Sequence, residues 1–116
     1  MKPLTIAVDI DGVLTLETEG HDYKNRTPNP VTIRMINQLF DVGFNIILYT
    51  SRMKRDQFVT EEWLKTYGVK YHTLVLQKLQ YDILLDDKAV STPVDLISQI
   101  RVIGELNKNA NLPGRG

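Results

Sequence analysis

The chain has 116 residues, 42% of them hydrophobic, with 14 Lys and Arg against 14 Asp and Glu and no cysteine. That size and profile suit one soluble globular domain, the balanced charge argues against a nucleic-acid partner, and the absence of thiols excludes disulfides and thiolate metal sites. No apolar run reaches the roughly 18 residues of a membrane-spanning helix, and the start at Met1-Lys2-Pro3 lacks the long apolar stretch of a signal peptide, so the expectation is a cytoplasmic protein with no membrane partner.

Leu4 to Val8 is apolar and rich in β-branched residues, which predicts a buried strand ending at Asp9. Residues 12 to 30 are polar and rich in turn-formers, and read as a loop with room for a small hairpin. Asn29-Pro30 supplies an N-cap and a first-turn proline. Val31, Met35, Ile36, Leu39 and Phe40 follow at helical spacing until Gly43 stops the helix. Phe44 to Tyr49 is a second strand, ending at Thr50. A second helix is predicted over Asp56 to Tyr67, with Val59, Trp63, Leu64 and Tyr67 facing inward and Gly68 closing it. Tyr71 to Leu76 reads as a third strand before Gln77-Lys78, and Tyr81 to Leu85 as a fourth before Asp86-Asp87. Pro93 opens a last helix through about Asn107, and residues 108 to 116 form a polar tail expected to be disordered.

Alternating strands and helices predict a single α/β domain over residues 1–107, a parallel sheet with helices on both faces. Ligands of such sheets bind outside the carboxyl ends of the strands. The polar residues gather there: Asp9 and Asp11, then Thr50, then Lys78, then Asp86 and Asp87, each group after a different predicted strand.

Four carboxylates at one sheet edge repel one another strongly in a low-dielectric cleft. A divalent cation resolves the repulsion, and oxygen donors without Cys or clustered His favour magnesium over zinc. Phosphoryl transfer fits this set. A carboxylate can be the in-line nucleophile and form an aspartyl-phosphate, and a second carboxyl two residues on can serve the leaving oxygen and then the attacking water. Gly12 permits a sharp turn where amides approach a phosphate. Thr50 offers a hydroxyl, the amides after it at Ser51 and Arg52 can face an anion, and Lys78 is a compact point charge. Arg52, Lys54 and Arg55 are the tight basic cluster of the chain.

Asp9-Ile10-Asp11-Gly12-Val13-Leu14-Thr15 resembles the first motif of the haloacid dehalogenase-like (HAD) superfamily, Thr50 after an apolar strand its second, Lys78 its third and Asp86-Asp87 its fourth. The likeness covers about residues 4 to 90, in order. It implies a three-layer Rossmann-like, HAD-like domain, with Asp9 as nucleophile, Asp11 as general acid and base, and Thr50 and Lys78 binding phosphate. It further implies magnesium held by Asp9, the backbone carbonyl of Asp11 and the fourth motif, with Asp87 favoured over Asp86 as direct ligand. The acid two residues after the nucleophile marks phosphatases of that superfamily. Val13 stands where many members have Thr, and Gln77 where small members often have Gly.

About 18 residues separate the first motif from the first long helix and about 27 separate Thr50 from Lys78, so neither gap holds a cap domain. The Tyr-Thr-Ser-Arg and Tyr-Asp-Ile-Leu-Leu-Asp-Asp-Lys-Ala segments resemble small phosphatases of capsular polysaccharide biosynthesis. The resemblance implies a magnesium-dependent phosphomonoesterase acting on a small metabolite such as a sugar phosphate, with a nucleotide or nucleic-acid-end phosphatase and a non-catalytic phosphoryl-binding domain as alternatives. It also implies a homo-oligomer in which a neighbour closes the capless site. The loop with His21, Asp22, Tyr23, Lys24 and Arg26 is a candidate cover for that site, whereas His72, Trp63 and Tyr67 read as structural.

Overall fold

Three short apolar runs pair into one parallel sheet in the computed structural model, which describes residues 4–110 and their side chains through residue 104. The strands are β1 (Thr5–Val8), β2 (Asn45–Tyr49) and β3 (Thr73–Val75), in spatial order β1-β2-β3. Thr5 stands opposite Asn45 and Val8 opposite Leu48, while Ile47 stands opposite Thr73 and Tyr49 opposite Val75. Parallel neighbours need crossovers. These are α1 (Pro30–Asp41), between β1 and β2, and α2 (Gln57–Thr66), between β2 and β3. The result is a small α/β fold compatible with a Rossmann-like arrangement. No helix among the described residues is long and apolar enough to cross a membrane.

Helix α1 begins as its sequence predicts. Asn29 Oδ1 accepts the Thr32 amide at 3.3 Å, and Pro30 opens the first turn; such a cap is worth about 1 kcal/mol. Its far end unwinds at Gly43, whose φ of +107° lies in the left-handed region. The inward apolar face differs in two places from the expected one, since Ile33 joins it and Val31 leaves it. Ile33, Ile36 and Leu39 are buried, but Val31, on the first turn, is 62% exposed. Helix α2 buries Thr60, Trp63 and Leu64. Tyr67 is exposed, with its ring against Trp63 at 4.7 Å between centroids. With Val8, Ile10, Leu14, Ile46, Leu48 and Val69 these side chains make the core.

The chain divides into two compact units, Met1–Asp82 and Ile83–Gly116, each described by itself. The first holds the whole sheet, α1 and α2. The second holds α3 (Pro93–Ala110), which runs past the expected end at Asn107; residues 111–116 of the expected tail lie outside the described residues. Thr92 caps α3, its Oγ1 accepting the Asp95 amide at 3.1 Å.

The fourth strand predicted over Tyr81 to Leu85 does not form, and no strand pairs with the outer edge of β1 among the described residues. Ile83 and Leu85 are 89% and 100% exposed. An apolar, β-branched run signals strand propensity, but propensity alone does not make a strand. Its amides and carbonyls need a ladder partner, and this run has none. The third strand is likewise shorter than predicted. Tyr71 and His72 lie outside it, although the His72 amide still donates to the Ile46 carbonyl at 2.9 Å.

Candidate active site

Because β1, β2 and β3 are parallel, the residues that follow them reach the same sheet edge. Asp9 follows β1, Thr50 follows β2, and the Gln77-Lys78 turn follows β3. Two backbone hydrogen bonds tie the last two together: the Lys78 amide donates to the Thr50 carbonyl and the Gln77 amide to the Arg52 carbonyl, both at 2.9 Å. The Thr50 amide donates in turn to Val75. Gln77 takes a φ of +60°, a left-handed conformation that side chains disfavour. This bend turns the chain so that Lys78 faces back toward β1.

The Lys78 ammonium lies 3.6 Å from Asp9 Oδ2. It is largely buried and sits near two aromatic faces, 5.2 Å from the Tyr49 ring centre and 5.5 Å from that of Tyr81. Cation–π attraction of this kind helps hold a lysine side chain in one place. Asp9 Oδ1 accepts the Ile10 amide at 2.7 Å, and the side chain remains 41% exposed, open to an incoming ligand. Thr50 is buried, with Oγ1 accepting the Arg52 amide at 3.2 Å, and Ser51 beside it is half-buried.

After Asp9 the chain coils tightly. The amides of Val13, Leu14 and Thr15 all converge on the Ile10 carbonyl at 2.8 to 3.1 Å. Gly12 sits at φ +84°, and its amide is used within the turn, donating to the Glu17 carbonyl and Thr15 Oγ1, each at 3.1 Å. The role of Gly12 is therefore to shape the turn. The neck of the following loop is closed by an antiparallel bridge, with Leu16 donating to Thr27 and Asn29 donating to Leu14. This is the small hairpin for which the sequence left room. Glu17 clasps the neck: its carboxylate accepts the Thr27 amide at 2.7 Å and the Thr27 hydroxyl at 2.6 Å. Those bonds, the hydroxyl's foremost, hold the Glu17 pKa below its usual value.

Asp11 points into a cluster that sequence reasoning found only in part. Arg52 donates from Nε to Oδ2 at 3.0 Å and from Nη2 to Oδ1 at 2.8 Å, and Arg26 Nε lies 3.2 Å from Oδ1. Both arginines are buried. Arg26 also donates to the Glu19 and Gly20 carbonyls, and the Trp63 indole donates to the Arg26 carbonyl at 2.9 Å. Tyr23 lies beneath the Arg52 guanidinium, 4.0 Å from its ring centre. Burial, then the nearby Asp11 carboxylate, pushes its phenol pKa up. Arg52 was expected at the substrate, and the structure places its head group on Asp11. Thr60, which also receives Arg52, had no sequence signal, because a lone threonine on a helix carries none.

No family model and no curated protein matches the sequence. Among solved structures, the chain is similar to a crystallised MCSG target from Vibrio cholerae, at 26% identity and a TM-score of 0.68. The likeness covers 90% of this chain and 99% of the other. The two chains are thus of closely similar extent and share an α/β fold.

The remaining predicted residues, Asp86 and Asp87, belong to the second unit. Asp86 Oδ1 accepts the Lys88 amide at 2.6 Å, and Asp87 Oδ2 lies 3.6 Å from Lys88 Nζ. Among the described residues no three His, Asp or Glu side chains stand together as a metal cage. Two oxygen donors beside β1 nonetheless fit a hard cation. One is the exposed Asp9 carboxylate. The other is the Asp11 carbonyl, which accepts none of the backbone hydrogen bonds of the turn. The Asp11 carboxylate is not a free donor, since Arg52 occupies both of its oxygens.

Proposed function

We propose that this chain is a magnesium-dependent phosphomonoesterase, a capless member of the haloacid dehalogenase-like superfamily that works through an aspartyl-phosphate at Asp9. The observation that carries the reading is the Asp9–Lys78 pair at 3.6 Å, with Thr50 tied to the Lys78 backbone. A carboxylate open to solvent, a lysine held beside it and a buried hydroxyl at the next strand end are the parts that phosphoryl transfer needs.

In this reading a carboxylate oxygen of Asp9 attacks phosphorus, and the bond to the leaving oxygen breaks. Asp11 gives that oxygen a proton. Water then attacks the aspartyl-phosphate, Asp11 takes the water's proton, and phosphate leaves with Asp9 restored. Lys78 and the Thr50 hydroxyl, with Ser51 alongside, face the charge that builds on the phosphoryl oxygens. Asp9 and the Asp11 carbonyl would hold magnesium, which would supply further positive charge to the phosphoryl group. The substrate class, a small metabolite such as a sugar phosphate, rests on the resemblance to capsule phosphatases. An open site without a cap also suits a second subunit as its missing wall.

The test is a magnesium-dependent assay on aryl, sugar and nucleotide phosphates. Asp9→Asn is expected to abolish turnover while circular dichroism stays unchanged, and full activity in that variant would sink the mechanism. One observation favours a second reading, a phosphoryl-binding domain without turnover: Arg52 occupies both oxygens of Asp11. Binding of inorganic phosphate without hydrolysis of any ester, at high protein concentration, would establish that alternative.

A further inference from the structure

The Asp11 carboxylate is gripped from two sides, and the grip is itself held by three elements. The Arg52 fork meets it side-on through Nε and Nη2, at 3.0 and 2.8 Å. Two parallel donors fix the plane of a carboxylate as well as its position, which a lysine cannot do. The third nitrogen of the fork, Nη1, donates to Thr60 Oγ1 of α2 at 3.0 Å. One face of the guanidinium lies over Tyr23 of the loop. The side chain is 1% exposed, so α2, the loop and the turn after β1 together set one rotamer. Arg26 backs the same carboxylate, with Nε at 3.2 Å from Oδ1 and its outer nitrogens on Glu19 and Gly20.

Burying two guanidinium groups around one carboxylate is a costly way to build a core, because each charge loses its hydration and apolar packing does the same job at least as well. The cluster is therefore better explained by what it does to Asp11. We infer that Arg52 is a positioning residue: it holds the Asp11 carboxyl in the one orientation that serves the leaving oxygen and the attacking water at Asp9. The inference rests on the phosphatase reading above. Arg52 has almost no accessible surface and acts on substrate only through Asp11.

Two phosphomonoesters that differ only in the leaving group test it, an aryl phosphate whose phenolate departs unaided and a primary alkyl phosphate whose alkoxide needs a proton. In Arg52→Met, kcat on the alkyl ester is expected to fall about 100-fold and on the aryl ester less than about tenfold. KM stays within about threefold of wild type on both. Arg52→Lys keeps the charge without the fork and is expected to behave like the Met variant. Equal losses on the two esters, or a change confined to KM, overturn the inference. Thr60→Val guards against a folding defect, since it leaves Arg52 in place and removes only its anchor on α2. It should give the same alkyl-selective loss at smaller size, and an unselective loss or none counts against the inference. If the wild-type protein hydrolyses neither ester, the phosphatase reading falls. The positioning is then judged by a crystal structure of Arg52→Met, where an unmoved Asp11 carboxyl overturns it and a rotated one upholds it.

Discussion

Two residues at the sheet edge occupy left-handed backbone, and they differ in what that costs. Gly12 does so freely, and a side chain there meets an obstacle, since a Cβ would stand 2.7 Å from Thr18 Cγ2. Gly12→Ala combines a strained φ with that clash, and is expected to lower stability by about 2 kcal/mol or more. A urea titration checks it; an unchanged midpoint would mean that the turn opens to admit a methyl group. Gln77 takes φ +60° with a full side chain. The strain is of order 1–2 kcal/mol, and the bond from its amide to Arg52 keeps it in place. Gln77→Gly relieves the strain but adds unfolded-state entropy, for a net gain of about 0.5–1 kcal/mol in the same titration. The sequence pattern anticipated the turn at Gly12, because a glycine directly after Asp9-Ile10-Asp11 at the end of an apolar strand has a direct steric meaning. It left the bend at Gln77 unread: only the departure from the glycine of small HAD members pointed there, and a glutamine carries no sign of its own φ.

At the scale of elements, the loop between β1 and α1 owes its shape to a few polar contacts at its neck. The Glu17–Thr27 clasp depends on an ionised carboxylate. Its pKa is depressed in the folded protein, so its contribution is complete above the ordinary value of 4.5 and is lost as pH falls through the lowered value. Thermal melts across the acid range should therefore show wild type losing stability below that point, while Glu17→Gln, less stable at neutral pH, changes less over the same interval. Parallel slopes would remove Glu17 from the account. The strands and helices β1, α1, β2 and α2 follow closely from apolar periodicity, the Asn29-Pro30 cap and the stops at Gly43 and Gly68. The path of the loop does not, because Arg26 meets Asp11, and Tyr23 and Thr60 meet Arg52, through tertiary packing that no local pattern encodes. For the same reason Arg52, expected at the substrate, turns out to be one of the most deeply buried side chains among the described residues.

For the molecule as a whole, the division falls after Asp82, where the expected fourth strand is absent. Residues 81 to 92 contain no helix or strand, and the Lys88 side chain is 87% exposed. Limited trypsin digestion is expected to cut after Lys88 before it cuts at Arg34 in α1 or Lys65 in α2, because those sites need their helices to open first. Early cleavage inside either helix would place the weakest region elsewhere. The parallel α/β architecture was legible from alternation alone, whereas the fourth strand was not, since a run such as Ile83-Leu84-Leu85 looks the same with or without a partner beside it. Trp63 joins these scales. It is the chain's single tryptophan, 3% exposed, and its indole N–H is bonded to the carbonyl of Arg26, within the loop that reaches Asp11. Its emission is thus a built-in optical reporter: any variant or ligand that lifts this loop from α2 uncovers the indole and shifts its fluorescence to the red, readable in solution without label or substrate.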